Sequence, residues 1–196
     1  MSKLDLGNNE FINYEFHENI GKNTIVFSNS LGSDLSMWDP QAEYFKDDYQ
    51  IIRYDKRGHG KSSPIQGPYT FDMLENDVIS IMDEIGIDKA HFVGLSMGGM
   101  TSLGLALKHS NRFDKLVCCA ARADMPPPAI EAWDQRMAVV EDKGTQGVVQ
   151  GSLERWFSDN FRNDVANNHI LKKAEEMIKS TSTNAVSYTH LRAHET

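Results

Sequence analysis

The stretch Ala90-His91-Phe92-Val93-Gly94-Leu95-Ser96-Met97-Gly98-Gly99-Met100 reads as a buried strand that turns at one serine into a helix. An apolar run over 90–95 ends at Ser96, and an amphipathic run from Met97 to Lys108 follows it. A serine at such a junction occupies a tight, strained turn and lifts its hydroxyl clear of the sheet. The turn closes only if the residues two before and two after it are small. Gly94 and Gly98 meet that requirement. Phosphate loops also join a strand to a helix, but neither GxGxxG nor GxxxxGK[ST] occurs in the chain. A glycine-rich loop that merely caps a helix is the plain alternative. The strand before and the helix after favour Ser96 as a nucleophile.

Upstream lies a second candidate element. Thr24-Ile25-Val26-Phe27 is a short buried strand, and Ser28-Asn29-Ser30-Leu31-Gly32 follows it. A serine nucleophile needs two fixed amides aimed at the oxyanion it creates. The amide of Met97, next to the nucleophile, supplies one. The loop after the earlier strand should supply the other, and Leu31 is the best-placed residue. A third block, Gln50-Ile51-Ile52-Arg53-Tyr54, is again a strand, leading into Asp55-Lys56-Arg57-Gly58-His59-Gly60-Lys61-Ser62. This dense mixture of charge and glycine predicts a tight structural turn, tied by Asp55 and the arginines near the Leu31 loop. His59 is not assigned as the base, because the triad partners of an elbow serine follow it in chain order.

The remaining pattern sets the fold. Phe11–His17 alternates as an opening strand, and Lys115–Ala120 is a further one. Met73, Leu74, Val78, Ile81, Met82 and Ile85 share one face of a helix over 71–85. Strands alternating with helices imply a mostly parallel sheet with crossover helices on both faces. After Asp124 the texture changes: Met125-Pro126-Pro127-Pro128 is a stiff breaker, and 129–180 reads as successive helices. The expected organisation is a core over 1–124 and an incomplete helical cap over 125–185. The final eleven residues, 186–196, match codon for codon the translation of a common tagmentation sequencing adapter and do not continue the helical texture. Between Ser96 and Ala185 the histidines are His109, at a helix end, and His169, in the helical region. Both read as surface residues. Asp124 could serve as an acid, but the usual acid and the base are expected to be missing from the chain, leaving an uncovered sheet edge.

Composition excludes several classes. With 196 residues, 40% hydrophobic and 24% charged, the chain can build one ordinary core. A formal net charge of -8 with scattered Lys and Arg excludes nucleic acid as a partner. No run of about 18 apolar residues suggests a membrane span, and the first residues, MSKLDLGNNE, lack a secretory apolar region. Cys118 and Cys119 are adjacent and read as small apolar filler at a strand end, consistent with a cytoplasmic protein. No cofactor and no metal cluster are implied.

The blocks SNSLGSDLSMWDPQ, IIRYDKRGHGKSS and HFVGLSMGGM, in this order, resemble the 3-oxoadipate enol-lactonases of the α/β-hydrolase superfamily. Ala121-Arg122, Trp133-Asp134-Gln135-Arg136-Met137 and Glu154-Arg155-Trp156-Phe157 resemble that family's cap. The resemblance covers nearly all of residues 11–185. It implies an α/β-hydrolase fold and hydrolysis of a small lactone or ester, the enol-lactone of the β-ketoadipate pathway of aromatic degradation. That substrate carries a carboxylate, which makes Arg136 a candidate to orient it and Trp133 an apolar wall; Arg136 could equally tie the cap to the core. Other carboxylesterases and cofactor-free peroxidases share the core blocks, and non-catalytic binding proteins share the fold. The oligomeric state is left open.

Overall fold

Two asparagines open the fold. Asn8 and Asn9 both take left-handed backbone angles, φ 55° and 64°, the pair a two-residue hairpin turn demands. They join β1 (Ser2–Gly7) to β2 (Glu10–His17) in antiparallel register, with Leu4 opposite Ile12. Only the second of these strands is visible in the hydrophobic pattern. The computed structural model describes residues 2–189, with side chains through Val186. After β3 (Thr24–Ser28) come α1 (Asp39–Phe45), β4 (Gln50–Tyr54), α2 (Phe71–Ile85), β5 (Ala90–Leu95), α3 (Met97–Lys108) and β6 (Phe113–Cys119). The strands form one sheet in the order β1-β2-β4-β3-β5-β6. β2 runs antiparallel to β4, and β4, β3, β5 and β6 are mutually parallel. The sheet is mostly parallel, as the alternation of elements implies.

Alternation along the strands assigns the two faces. Val26, Ile52 and Phe92 pack with Val78, Ile81 and Met82 of α2 and Leu105 of α3. Ile25, Phe27 and Ile51 point the other way, onto Trp38, with Ala42 and Phe45 of α1 packed alongside. The Phe27 and Trp38 rings lie 4.9 Å apart between centroids. Each such buried side chain contributes about 1.5–3 kcal/mol relative to exposure. α2 begins where the Thr70 hydroxyl accepts the Met73 amide and ends at Gly86, φ 80°, so a polar cap and a left-handed glycine bound it. These central contacts hold the carboxyl ends of β3 and β5 side by side, and those ends carry the Leu31 loop and Ser96.

Beyond β6 the described chain is helical: α4 (Pro127–Lys143), α5 (Val149–Trp156), α6 (Asp159–Asn163), α7 (Asn168–Ser180) and α8 (Thr183–Thr189). The proline run does not only break structure. Pro126 caps α4 and the next two prolines form its first turn, where no amide donor is needed. Met137, Val140, Val148, Val149, Ile178 and Val186 from this region close over Leu31, Leu74 and Met97. α8 docks on the 55–62 turn: the Ser182 amide donates to the Gly58 carbonyl at 3.0 Å, and Ala185 is fully buried against Ile65 and Tyr69. The expected boundary at residue 186 falls inside α8, whose Val186 is buried. Residues 190–196 of the adapter-like tail lie outside the described residues. β6 pairs only with β5 and forms the sheet edge. This corrects the reading of the cysteines as filler: Cys118 is exposed and Cys119 half-buried, with Val117 47% exposed. The cause is the absence, among the described residues, of any strand beside β6. Among those residues no helix is long and apolar enough to cross a membrane.

Candidate active site

Ser96 sits at φ 54°, ψ -111°, between β5 and α3. A non-glycine residue in such a conformation costs on the order of 1–3 kcal/mol, so its surroundings must enforce it. They do so through the backbone on both sides. The Ser96 amide donates to the Cys119 carbonyl of β6 at 2.8 Å, and the Ser96 carbonyl accepts the Met100 amide at 2.9 Å. Glycine is required at three neighbouring positions. A Cβ at Gly94 would overlap the Gly98 carbonyl and come within 2.7 Å of the Gly99 amide. One at Gly98 would overlap the Ser28 carbonyl, and one at Gly99 would lie 2.6 Å from the Ala121 Cβ. The Ser96 side chain is half-buried, and no described residue hydrogen-bonds its hydroxyl.

The amides on either side of Met97 are occupied. Ser96 donates to Cys119, and Gly98 donates to the Asn29 carbonyl at 3.2 Å. The Met97 amide, in the first turn of α3, has no acceptor among the described residues, as the first helical amides inherently lack one. The Leu31 amide likewise has none. Its peptide is held by its other end: the Ser30 carbonyl accepts the Ser33 hydroxyl at 2.9 Å. Leu31 and Met97 are both buried, at 5% and 4% exposure, and belong to one apolar cluster. The structure thus places Leu31 beside Met97, the neighbour of Ser96, and leaves the amides of both without an acceptor among the described residues.

The charge-dense turn lies directly beneath this loop. The Asp55 carboxylate accepts the amides of Leu35 at 2.7 Å and Lys61 at 2.9 Å, and the Asn13 side chain at 2.8 Å. Burial nevertheless raises its pKa above the ordinary carboxylate value, against the lowering effect of those bonds. Gly60, φ 50°, leaves room for that carboxylate, which fills the space of a Cβ. The arginines serve elsewhere: Arg57 grips Asp77 of α2 with bonds of 2.7 and 2.6 Å, and Arg53 pairs with Glu15 and Asp39. Lys56 takes the place expected of them. It is 1% exposed and its Nζ donates to the Asn29 carbonyl. Its motif was visible in the sequence, but its direction was not. His59 is buried, with Nδ1 2.9 Å from the Arg57 carbonyl, and burial pushes its pKa down to about 4. It is a neutral structural residue.

The other ionisable candidates are dispersed. His109 terminates α3. His169 is exposed, with Nδ1 2.9 Å from the Ala166 carbonyl. Asp124 is exposed and pairs with Arg122 at 3.3 Å. None of these hydrogen-bonds Ser96. Trp133 packs on the cluster that contains Leu31 and Met97, and the Arg136 guanidinium lies 5.3 Å from its ring centre. Arg136 and Arg155 both donate to the buried Ser152 hydroxyl at 3.2 Å. Neither arginine has a carboxylate within ion-pair distance among the described residues, and the Arg136 Nε is buried without a partner. Burial, then the proximity of Arg155, lowers the Arg136 pKa to about 10. Among the described residues no group of histidine, cysteine and carboxylate side chains could hold a metal ion.

Residues 23–192 match the family model described as alpha/beta hydrolase fold. The chain is 39% identical over 153 residues to the 3-oxoadipate enol-lactonase 2 of Acinetobacter baylyi, covering 78% of this chain and 57% of that protein. It is 30% identical over 177 residues to a putative carbamate hydrolase RutD of Caulobacter segnis, covering 88% of this chain and 65% of the relative. The crystal structure of the enol-lactonase from Burkholderia xenovorans superposes with a TM-score of 0.86 at 32% identity, over 93% of this chain and 70% of that one. The chain therefore spans 57% of the length of the curated enol-lactonase it matches.

Proposed function

Because the chain belongs to the α/β-hydrolase fold family, we propose that it is the nucleophile-bearing part of a serine hydrolase that opens 3-oxoadipate enol-lactone to 3-oxoadipate in cytoplasmic aromatic catabolism. The observation that carries this reading is the enforced φ of 54° at Ser96 beside the buried residues Leu31 and Met97, whose amides have no acceptor among the described residues. Ser96 Oγ attacks the lactone carbonyl carbon, and the carbonyl oxygen takes the electron pair between the Leu31 and Met97 amides. Collapse of that tetrahedral centre breaks the ring C–O bond. The enol oxygen leaves readily, takes a proton and ketonises. Water then cleaves the acyl-serine ester and restores the hydroxyl. In this reading the acid and the base that move the protons belong to the additional length of the longer relatives. No cofactor takes part.

Arg136 binds the substrate carboxylate in this scheme, and Trp133 forms an apolar wall between it and the oxyanion residues. The half-buried guanidinium, with no carboxylate partner among the described residues and its Nε unpartnered, supports this role. The reading is tested by sequencing the source DNA past the Ala185 codon and assaying the complete frame on the enol-lactone. An Asp and then a His in further strand-end loops, with lactone hydrolysis abolished in Ser96→Ala, is the expected result. A frame that ends at Thr196, or a complete frame that hydrolyses p-nitrophenyl acetate well and the lactone poorly, would overturn it. Arg136→Ala should then raise KM for the lactone about tenfold or more, as loss of a charge-assisted contact does, and leave neutral esters unchanged. An equal loss on both substrates would assign Arg136 to tying helices together.

A further inference from the structure

A lysine enclosed in protein with no carboxylate bonded to it is an expensive arrangement. Lys56 is such a residue, and the scheme above gives it no role. The Asp55 carboxylate beside it is committed to the Leu35 and Lys61 amides and the Asn13 side chain. The Tyr54 ring stands 5.8 Å from Nζ, and the Tyr54 hydroxyl is turned to the Ser28 hydroxyl at 2.8 Å. A methionine would fill the same volume without the desolvation cost. What the amine adds, among the described residues, is one hydrogen bond, to the Asn29 carbonyl.

That carbonyl occupies a singular place. It also accepts the Gly98 amide at 3.2 Å, so it is the atom through which the Leu31 loop is fastened to the serine turn. Both its lone pairs are used, one by each side of the site. The next peptide along is the one whose N–H belongs to Leu31, and its carbonyl is held in turn by Ser33. The Asn29 side chain adds a third tie, from Nδ2 to the Ser33 carbonyl at 3.2 Å. Two successive carbonyls are thus fixed from below, and the following N–H is left to face the reacting carbonyl.

We propose that Lys56 is a positioning residue for the oxyanion hole: by fixing the Asn29 carbonyl between itself and Gly98, it sets the separation and direction of the Leu31 and Met97 amides. This rests on reading those two amides as the oxyanion donors. The pin needs only an N–H at Nζ, which both the ammonium and the amine supply. Its effect is on the charged tetrahedral state and not on ground-state binding, since donors displaced by a fraction of an ångström lose most of their value where charge develops.

The test uses phenylboronic acid, which joins Ser96 Oγ to boron with release of one proton and places a boronate oxygen in the oxyanion hole. Boron-11 NMR reports the tetrahedral adduct, and the amide proton of Leu31 reports the new hydrogen bond. The expected result is an adduct in the unaltered chain, a dissociation constant weakened about tenfold or more in Lys56→Met, and loss of the Leu31 shift. Should Lys56→Met not fold, Lys56→Gln, which keeps an N–H at shorter reach, is read by the same two signals. Equal affinity and an equal Leu31 shift in the variant and the unaltered chain, with only the melting temperature lowered, would overturn the inference and leave the site reading intact. No adduct in the unaltered chain, matching Ser96→Ala, would overturn both.

Discussion

The two amides offered to an oxyanion are fixed in opposite ways. Met97 is set by close backbone packing: Gly94, Gly98 and Gly99 allow one tight turn against Ser28 and Ala121, and the hydrogen bonds of Ser96 to Cys119 and of Gly98 to Asn29 flank it. Leu31 is set from afar. Its loop is fastened by Lys56, by Asp55 acting on Leu35, and by the elbow through Gly98. One half of the site depends on three glycines within six consecutive residues, packed tightly against neighbouring backbone, and the other on side chains that reach it across the fold. Strain is concentrated in the first, buried charge in the second. A local device fails by steric collision, whereas a distributed one fails by losing a tie at a time.

Collision gives the largest effect. Gly98→Ala places a Cβ against the backbone carbonyl of Ser28, which is held in β3 and cannot move aside. A loss of about 3 kcal/mol or more is expected, at the upper end of overpacking costs, read as a lower urea midpoint or as insoluble protein. Gly151→Ala is the control, since a Cβ there approaches nothing closer than the end of Arg155, at 3.8 Å. A helix position of that kind gains about 0.5–1 kcal/mol. If the two variants lose stability alike, the elbow is not uniquely tight.

Removing a tie from the distributed half costs less. Asp55→Asn keeps the shape of a side chain that serves three donors, but an amide oxygen cannot replace two carboxylate oxygens. At least one donor then faces the new NH2 group, and about 2 kcal/mol should be lost. Lys56 leaves a different mark. Burial pushes its pKa from 10.5 down to about 7, so between those values the unfolded chain holds a proton that the native chain does not. Native stability therefore rises with pH across that window, fully gained above 10.5 and lost as pH falls through 7. The slope reaches at most about 1.4 kcal/mol per pH unit. Urea melts between about pH 7.5 and 9.5 should show this slope, and Lys56→Met should flatten it; an unchanged slope would place the titration elsewhere.

The same contrast explains what could be read without coordinates. The ranges of β5 and α3, and the role of their glycines, follow from spacing over a dozen residues. The second half of the site required knowing which loop lies under which. The sequence shows that Asp55 to Ser62 is a tight turn near the Leu31 loop, but not that Lys56 in place of an arginine reaches it. β1 leaves no hydrophobic pattern because Leu4 is its one buried residue, so the turn asparagines are its stronger signal. Cys118 and Cys119 read as buried filler for the converse reason: an apolar strand looks the same in sequence at a sheet edge as in its interior. Prolines at 126–128 mark a boundary in either case, yet only geometry shows that they start a helix.

Ser33→Ala gives the smallest and most discriminating effect. Ser33 is 4% exposed, and its hydroxyl holds the carbonyl end of the very peptide whose N–H belongs to Leu31. Its Oγ also lies 3.1 Å from the Met37 sulfur, so alanine leaves a small void but no displaced backbone. The expected loss is about 1 kcal/mol. Amide exchange locates that loss: Leu31 should exchange faster in the variant and Met97 at its original rate, because Ser33's hydrogen-bond partners among the described residues are Asn29, Ser30 and Met37, none of them on the elbow. Equal acceleration at both amides would mean that the two halves move as one body, and the division between a local and a distributed half would fail.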